Sequence, residues 1–138
     1  RRFTWITIIN IVRLFFNFTM RKKIIDNKIL DLAFDTENYG LKNKSKYIAV
    51  LKNKKCGDKV HVELEIKNKK IKKMYYETES CIFCQASASL LSKKIINISV
   101  TDLDNLIENK KFKKLLSKKY INRRDCILLP LNALKKAI

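Results

Sequence analysis

The apolar positions of this chain change period several times, and each change marks an element. The first stretch has no clean period. Phe3, Trp5, Ile6, Ile8, Ile9, Ile11, Val12, Leu14, Phe15, Phe16 and Phe18 form a dense run broken by Asn10, Arg13 and Asn17. That run falls short of the roughly 20 apolar residues a membrane-spanning helix needs. Over residues 21–39 the spacing turns helical, with Ile24, Ile25, Ile29, Leu32 and Ala33 on one side and Asp26 and Asp31 on the other. Gly40 is expected to stop that helix. Residues 47–51, Tyr-Ile-Ala-Val-Leu, read as a first strand. Val60, Val62, Leu64 and Ile66 then alternate with His61, Glu63, Glu65 and Lys67, the period of a half-buried strand whose polar set faces water. Residues 67–70 are its turn, and residues 71–78 a third strand centred on Met74, Tyr75 and Tyr76. Consecutive short strands with short links predict an antiparallel meander.

After Cys81 the pattern becomes helical through Ala86, Ala88, Leu90, Leu91 and Ile95. A further helix is expected to open at Thr101 and Asp102, with Thr101 as N-cap and Asp104 in the first turn. Its stripe is Leu103, Leu106, Ile107, Phe112, Leu115 and Leu116. Residues 120–124 link to a last helix that starts near Cys126, tolerates Pro130 early, and is expected to bury Leu131, Leu134 and Ile138. The fold class that follows is α+β, a small three-stranded antiparallel sheet with helices packed on it. A chain of 138 residues suits one domain with one core. We place that domain at residues 20–138, after an apolar leader at residues 1–19. The leader carries arginines and no acidic residue, so it reads as an organellar presequence, an interfacial or extra helix, or a start foreign to the mature protein. Met20 offers a plausible start and favours the last reading. The compartment expected is then the cytoplasm, or the mitochondrial matrix if residues 1–19 are a presequence, and a membrane role is not expected.

Charge changes this picture less than its size suggests. The formal net charge is +18, which can mean a nucleic-acid surface or an acidic partner. But Lys22, Lys42, Lys54, Lys69, Lys93, Lys110 and Lys135 fall in every segment. Ile, Lys and Asn abound while Gly numbers 2 and Pro 1, the bias of an AT-rich genome. No uninterrupted basic helix and no aromatic RNA-binding motif appears, so composition bias is favoured over nucleic-acid binding. A basic nucleic-acid-binding domain with a structural zinc site stands as the alternative function. There are 4 cysteines. With no secretory signal and a core large enough to need no staples, we read a reducing compartment, where unpaired thiols mean metal or sulfur chemistry.

The expected topology gathers those thiols. Cys56 and Asp58 lie in the link between the first and second strands, and Cys81 in the link after the third. In a meander both links occupy one end of the sheet. Cys126, at the start of the last helix, can dock back to that end. Cys81 and Cys126 would each sit at a helix N-terminus, whose dipole favours a thiolate, with Arg123 and Arg124 pushing the same way. Three thiolates and one carboxylate make a plausible tetrahedral Zn²⁺ site or a terminal ligand set for an iron–sulfur cluster. Gly57 allows the sharp turn between the first two ligands. Cys84 completes a local CxxC with Cys81; it reads as a packed small hydrophobe ahead of a redox dithiol. His61, alone of its kind, is expected on the solvated strand face, and Ser87 and Ser89 lack a neighbouring base and fit close packing.

The triplet Cys56-Gly57-Asp58, the run Cys81 to Ser89 with its Gln-Ala-Ser-Ala-Ser, and Arg123 to Cys126 together resemble the NifU-like iron–sulfur cluster scaffold family, which includes the IscU and SufU branches. The similarity covers residues 24–138. It implies a SufE/NifU-like fold and a scaffold, itself no enzyme, that receives persulfide sulfur from a cysteine desulfurase. Such a scaffold holds a transient 2Fe-2S cluster or zinc and passes a cluster to acceptor proteins. The ligands implied are Cys56, Asp58, Cys81 and Cys126, with Cys126 the favoured persulfide acceptor. IscU-type members carry a histidine before the last cysteine; Asp125 stands there here, which places the chain nearer the SufU-type branch. Glu79-Ser80 replace the glycines many members have before the second cysteine, Cys84 is an extra thiol, and residues 101–120 are short for a SufU-type insertion.

Overall fold

Three strands carry the alternating apolar residues into one sheet. β1 (Tyr47–Lys52), β2 (Lys59–Lys67) and β3 (Lys70–Glu79) run antiparallel in the order β1-β2-β3. This is the arrangement in a computed structural model, which describes residues 9–14 and 27–138, the side chains of Ile107 and Lys111 aside. Ala49 faces Val62, and Val62 faces Tyr76, so the strands share a buried face built from Ala49, Val60, Val62, Leu64, Ile71, Met74 and Tyr76. The β2–β3 hairpin turns on Asn68 and Lys69, both at positive φ, as a two-residue turn matched to strand twist requires.

Two helices cover that face. α3 (Ile82–Lys94) and α5 (Arg124–Ala137) pack on the sheet and on each other, and α2 (Asn27–Phe34) closes over α3. α3 is therefore buried nearly all round, from Phe83 and Cys84 to Ser92. Its small residues permit this: Ala86 and Ala88 are fully buried, and the Ser87 hydroxyl donates to the Ile127 carbonyl of α5 at 2.6 Å. Ser87→Ala removes that tie between the two central helices. It should lower stability by about 1 kcal/mol, read as a shift of the urea midpoint at unchanged slope.

Several expectations need correction. α2 ends at Phe34, well before Gly40. The Asp35 side chain accepts the Glu37 N–H at 3.0 Å and turns the chain, and Gly40, at φ +106, donates its N–H to the Tyr76 carbonyl at 2.9 Å. Gly40 thus fastens the chain beside β3 rather than ending a helix. Ile29 and Ala33 are buried as expected, and Leu30 with them; Ile24, Ile25 and Asp26 lie outside the described residues. The single helix expected from Thr101 is a 3-10 helix, η1 (Val100–Glu108), followed by α4 (Lys110–Leu115). Its N-cap is Ser99, whose hydroxyl accepts the Thr101 N–H, not Thr101 itself. The reason is the period: Val100, Leu103 and Leu106 recur every three residues, and a 3-10 helix aligns i with i+3. Residues 118–123 form a second 3-10 helix, η2 (Lys118–Arg123), rather than a bare link. α5 starts at Arg124, contains Pro130, and buries Leu131 and Leu134; Ile138 lies past its last turn and is 47% exposed.

The polar face of β2 also departs from a plain solvated face. Glu63 is only 2% exposed. Its Oε2 accepts the N–H groups of Lys42 (2.7 Å) and Asn43 (2.9 Å), and its Oε1 those of Lys44 (2.9 Å) and Ser45 (3.1 Å). Burial pushes this carboxyl up, but the four backbone donors together hold it below the ordinary value of 4.5.

Of the leader, residues 9–14 form α1, with Ile9, Ile11, Val12 and Leu14 exposed; the remainder lies outside the described residues. Among the described residues no helix is long and apolar enough to cross a membrane.

Candidate metal centre

The meander brings the β1–β2 link and the β3–α3 junction to one end of the sheet, where Lys59 of β2 lies between Lys52 of β1 and Glu79 of β3. The link folds tightly. Gly57, at φ +77, donates its N–H to the Asn53 carbonyl, and Asn53 donates to the Asp58 carbonyl, both at 2.8 Å. A side chain at Gly57 would be strained at that φ. The first turn of α5 carries Cys126 to the same place.

The result is a close group. Cys56 Sγ and Cys126 Sγ are 3.7 Å apart, and these thiols with an Asp58 carboxylate oxygen all lie within 4.8 Å of one another. Cys81 stands beside the group as the N-cap of α3, and its backbone N–H donates to Asp58 Oδ1 at 3.2 Å. The structure thus clusters three of the four expected ligands and fastens the fourth to the same carboxylate. Cys56 is exposed, Cys81 half-buried and Cys126 buried.

Asp58 is buried, yet its Oδ2 has no hydrogen-bond partner. An unpaired buried carboxylate oxygen is costly, and here it sits among thiols that offer no charge to balance it. Burial pushes the Cys126 thiol up, and Asp58 and Cys56 add to the effect. Burial likewise pushes the Cys81 thiol up against the pull of the Cys84 N–H, with Asp58 raising it further. At both thiols, desolvation and the adjacent carboxylate thus oppose the expected pull of the helix ends. A divalent cation held there would supply the missing charge. Such an ion would be held by thiolates and carboxylate alike, with loss of the thiol protons, so the donor set fits Zn²⁺ or iron.

The remaining candidates are structural. Cys84 is fully buried in the core, and burial pushes its thiol up to about 12, so the CxxC pair has no activated thiolate for redox exchange. His61 is half-buried on β2 and lies outside the cluster. Ser87 and Ser89 are buried between packed elements. What sequence reading missed is how the mouth is built. η2 docks on the first turn of α3 through Tyr120 and Phe83, with ring centres 5.2 Å apart, and the Arg123 guanidinium lies 5.8 Å above the Phe83 ring. Lys55 and Asp125 approach to 3.9 Å across the exposed side. The aromatic pair is separated by some forty positions in sequence, so no local pattern announces it.

An α+β domain with cysteines and a buried aspartate converging at one sheet end defines a small, thiol-based candidate metal-binding protein. The chain belongs to the NifU-like N terminal domain family, which matches residues 24–138. It is 32% identical over 87 residues to the iron-sulfur cluster assembly scaffold protein IscU of Thermotoga maritima, a match covering 63% of this chain and 61% of that relative's length. Among crystal structures, the N-terminal NifU-like protein of Brucella abortus superposes with a TM-score of 0.70 at 20% identity, over 83% of this chain and 91% of the other. The putative iron-sulfur cluster assembly scaffold protein for the SUF system of Fervidobacterium islandicum superposes with a TM-score of 0.64 at 25% identity, over 82% and 95%. The first of these shows the fold; the second joins the IscU relative on the side of scaffold proteins.

Proposed function

We propose that this protein is an iron–sulfur cluster assembly scaffold, or a zinc-dependent sulfur-transfer protein, working with a cysteine desulfurase. The observation that carries the reading is the partnerless buried oxygen of Asp58 beside the Cys56 and Cys126 thiols. The ligand set is Cys56, Asp58, Cys81 and Cys126, and the working domain spans residues 20–138. Cys126 is the persulfide acceptor: its thiol gives up its proton as its sulfur attacks the outer sulfur of the desulfurase persulfide, a new S–S bond forms, the S–S bond of the donor persulfide breaks, and the desulfurase thiolate leaves and takes up a proton. The exposed Cys56 thiol, 3.7 Å away, marks the side from which that sulfur arrives. The cargo is sulfur and iron as a transient 2Fe-2S cluster, passed on to acceptor proteins, and catalysis resides in the desulfurase. Asp58 contributes a harder ligand than a fourth thiolate, which holds a cluster less firmly and suits release.

Metal analysis of protein purified under reducing, anaerobic conditions tests the reading. Zinc or iron near one ion per chain is expected, and a cluster absorption should appear on adding iron and sulfide. Absence of both metals together with no cluster on reconstitution would overturn it. Cys81→Ser should bring bound metal to background while Cys84→Ser largely spares it, because Cys81 adjoins Asp58 and Cys84 is packed in the core. Equal loss in the two variants contradicts the ligand set.

A further inference from the structure

The net charge of +18 is spread through the chain. Away from the candidate site, Lys93 pairs with Asp35 and Glu37, Lys113 with Glu108 and Lys135 with Asp104. The segments that carry and precede the site thiols are basic too. The β1–β2 link presents Lys54 and Lys55, and η2 with the start of α5 presents Lys119, Arg123 and Arg124, all exposed. Among the described residues, only Lys55 of these five approaches a carboxylate, the exposed Asp125 at 3.9 Å. Lys119 and Arg123 lie over the rings of Tyr120 and Phe83, which fixes their stems without neutralising them. Between Lys119 and Arg123 in η2, Ile121 is 64% exposed. Exposed cations on the link that carries Cys56 and on the segment leading to Cys126, two of them seated on aromatic rings, are with a bare aliphatic side chain the makings of a docking rim.

We infer that the basic rim of Lys54, Lys55, Lys119, Arg123 and Arg124 docks an acidic protein surface, with Ile121 as its apolar contact, and so steers the sulfur donor onto the thiol site. This rests on the proposed function and adds the chemistry of the partner's surface. A protein is favoured over single-stranded nucleic acid because Phe83 and Tyr120, the aromatic rings of the rim, are buried and offer no face for a base to stack on, and over a duplex because the exposed Ile121 finds no apolar counterpart on a phosphate backbone. Opposed charges also account for fast capture of a partner carrying a reactive sulfur, since steering raises association rates by about 10 to 1,000-fold and fades with salt.

The test is stopped-flow association of the full chain with the cysteine desulfurase, from low to high salt. The K54E/R124E variant is compared with K67E/K70E, which makes the same charge change at the β2–β3 hairpin, the far end of the sheet. The expected result is association slowed about 10-fold or more at low salt by K54E/R124E alone, with the wild-type rate falling to the variant's as salt rises. Matched melting temperatures and metal content show that both variants are folded. If the wild type fails to bind the desulfurase at every salt, the proposed function fails and the docking role falls with it. If it binds but neither salt nor the rim reversal changes the rate, or if both reversals slow it equally, the docking rim alone is overturned. If K54E/R124E instead abolishes tight binding of a 20-nucleotide DNA duplex and leaves desulfurase association untouched, the rim is a nucleic-acid surface and the inference is wrong.

Discussion

Cys126→Ser takes bound zinc from about one ion per chain to background while leaving the fold in place. Serine has nearly the shape of cysteine, so the buried position on α5 is filled, but the soft thiolate is gone. Zinc sites of this class bind with about 10–16 kcal/mol shared over four ligands, so one ligand stands for roughly 3 kcal/mol, more than a 100-fold loss of affinity. The same variant should lose the rise in melting temperature that added zinc gives the wild type, because a ligand that binds only the folded state stabilises it by mass action. Metal content by elemental analysis and a pair of melts with and without zinc decide it. Wild-type zinc content in Cys126→Ser would remove Cys126 from the ligand set.

Glu63→Gln should have the largest effect on stability of any single change outside the core. Four backbone N–H groups of the segment leading into β1 converge on this carboxylate. Glutamine keeps one oxygen and turns an N–H₂ toward two of the four, so two charge-assisted bonds are replaced by unsatisfied donors. The expected loss is about 3 kcal/mol, a fall in melting temperature of about 10 °C. The pH dependence follows from the direction of the shift. The folded carboxyl titrates below 4.5, so its stabilisation is complete above that ordinary value and is lost as the pH falls through the lower folded value. Wild-type stability should thus drop as the pH goes below 4.5, and Glu63→Gln should show a shallower drop. A variant melting within about 2 °C of wild type at neutral pH would show that solvent serves the loop equally well.

Glu63 also marks the limit of what the sequence discloses. Alternation placed Val60, Val62 and Leu64 on the buried face correctly, because a strand's period of two is set by its own backbone. That rule says only that Glu63 faces the other way. Whether water or protein lies there depends on residues 42–45, some twenty positions earlier. The convergence of Cys56, Asp58 and Cys81 was legible for the opposite reason: hairpin connectivity alone fixes which links share a sheet end, and these residues fall in those links. The direction in which the thiols are pushed was not legible, since it depends on how deeply the site is covered, and burial pushes both up against the pull of the helix ends. The helix boundaries after Phe34 and Ser99 failed where side chains such as Asp35 and Ser99 compete for backbone N–H groups.

Pro130 gives α5 a property that bears on the turn carrying Cys126. Proline has no N–H, so the carbonyl four positions earlier, on Cys126, has no α-helical donor at that position. The turn that carries the thiol is bound to the rest of its helix by one rung fewer than its neighbours. Displacing it forgoes about 1 kcal/mol less than displacing an ordinary helical turn. The body of α5, from Leu131 onward, stays packed against the sheet. The Cys126 peptide can thus tilt without breaking a helical hydrogen bond, while Ile127 beside it stays buried and tied to Ser87 of α3.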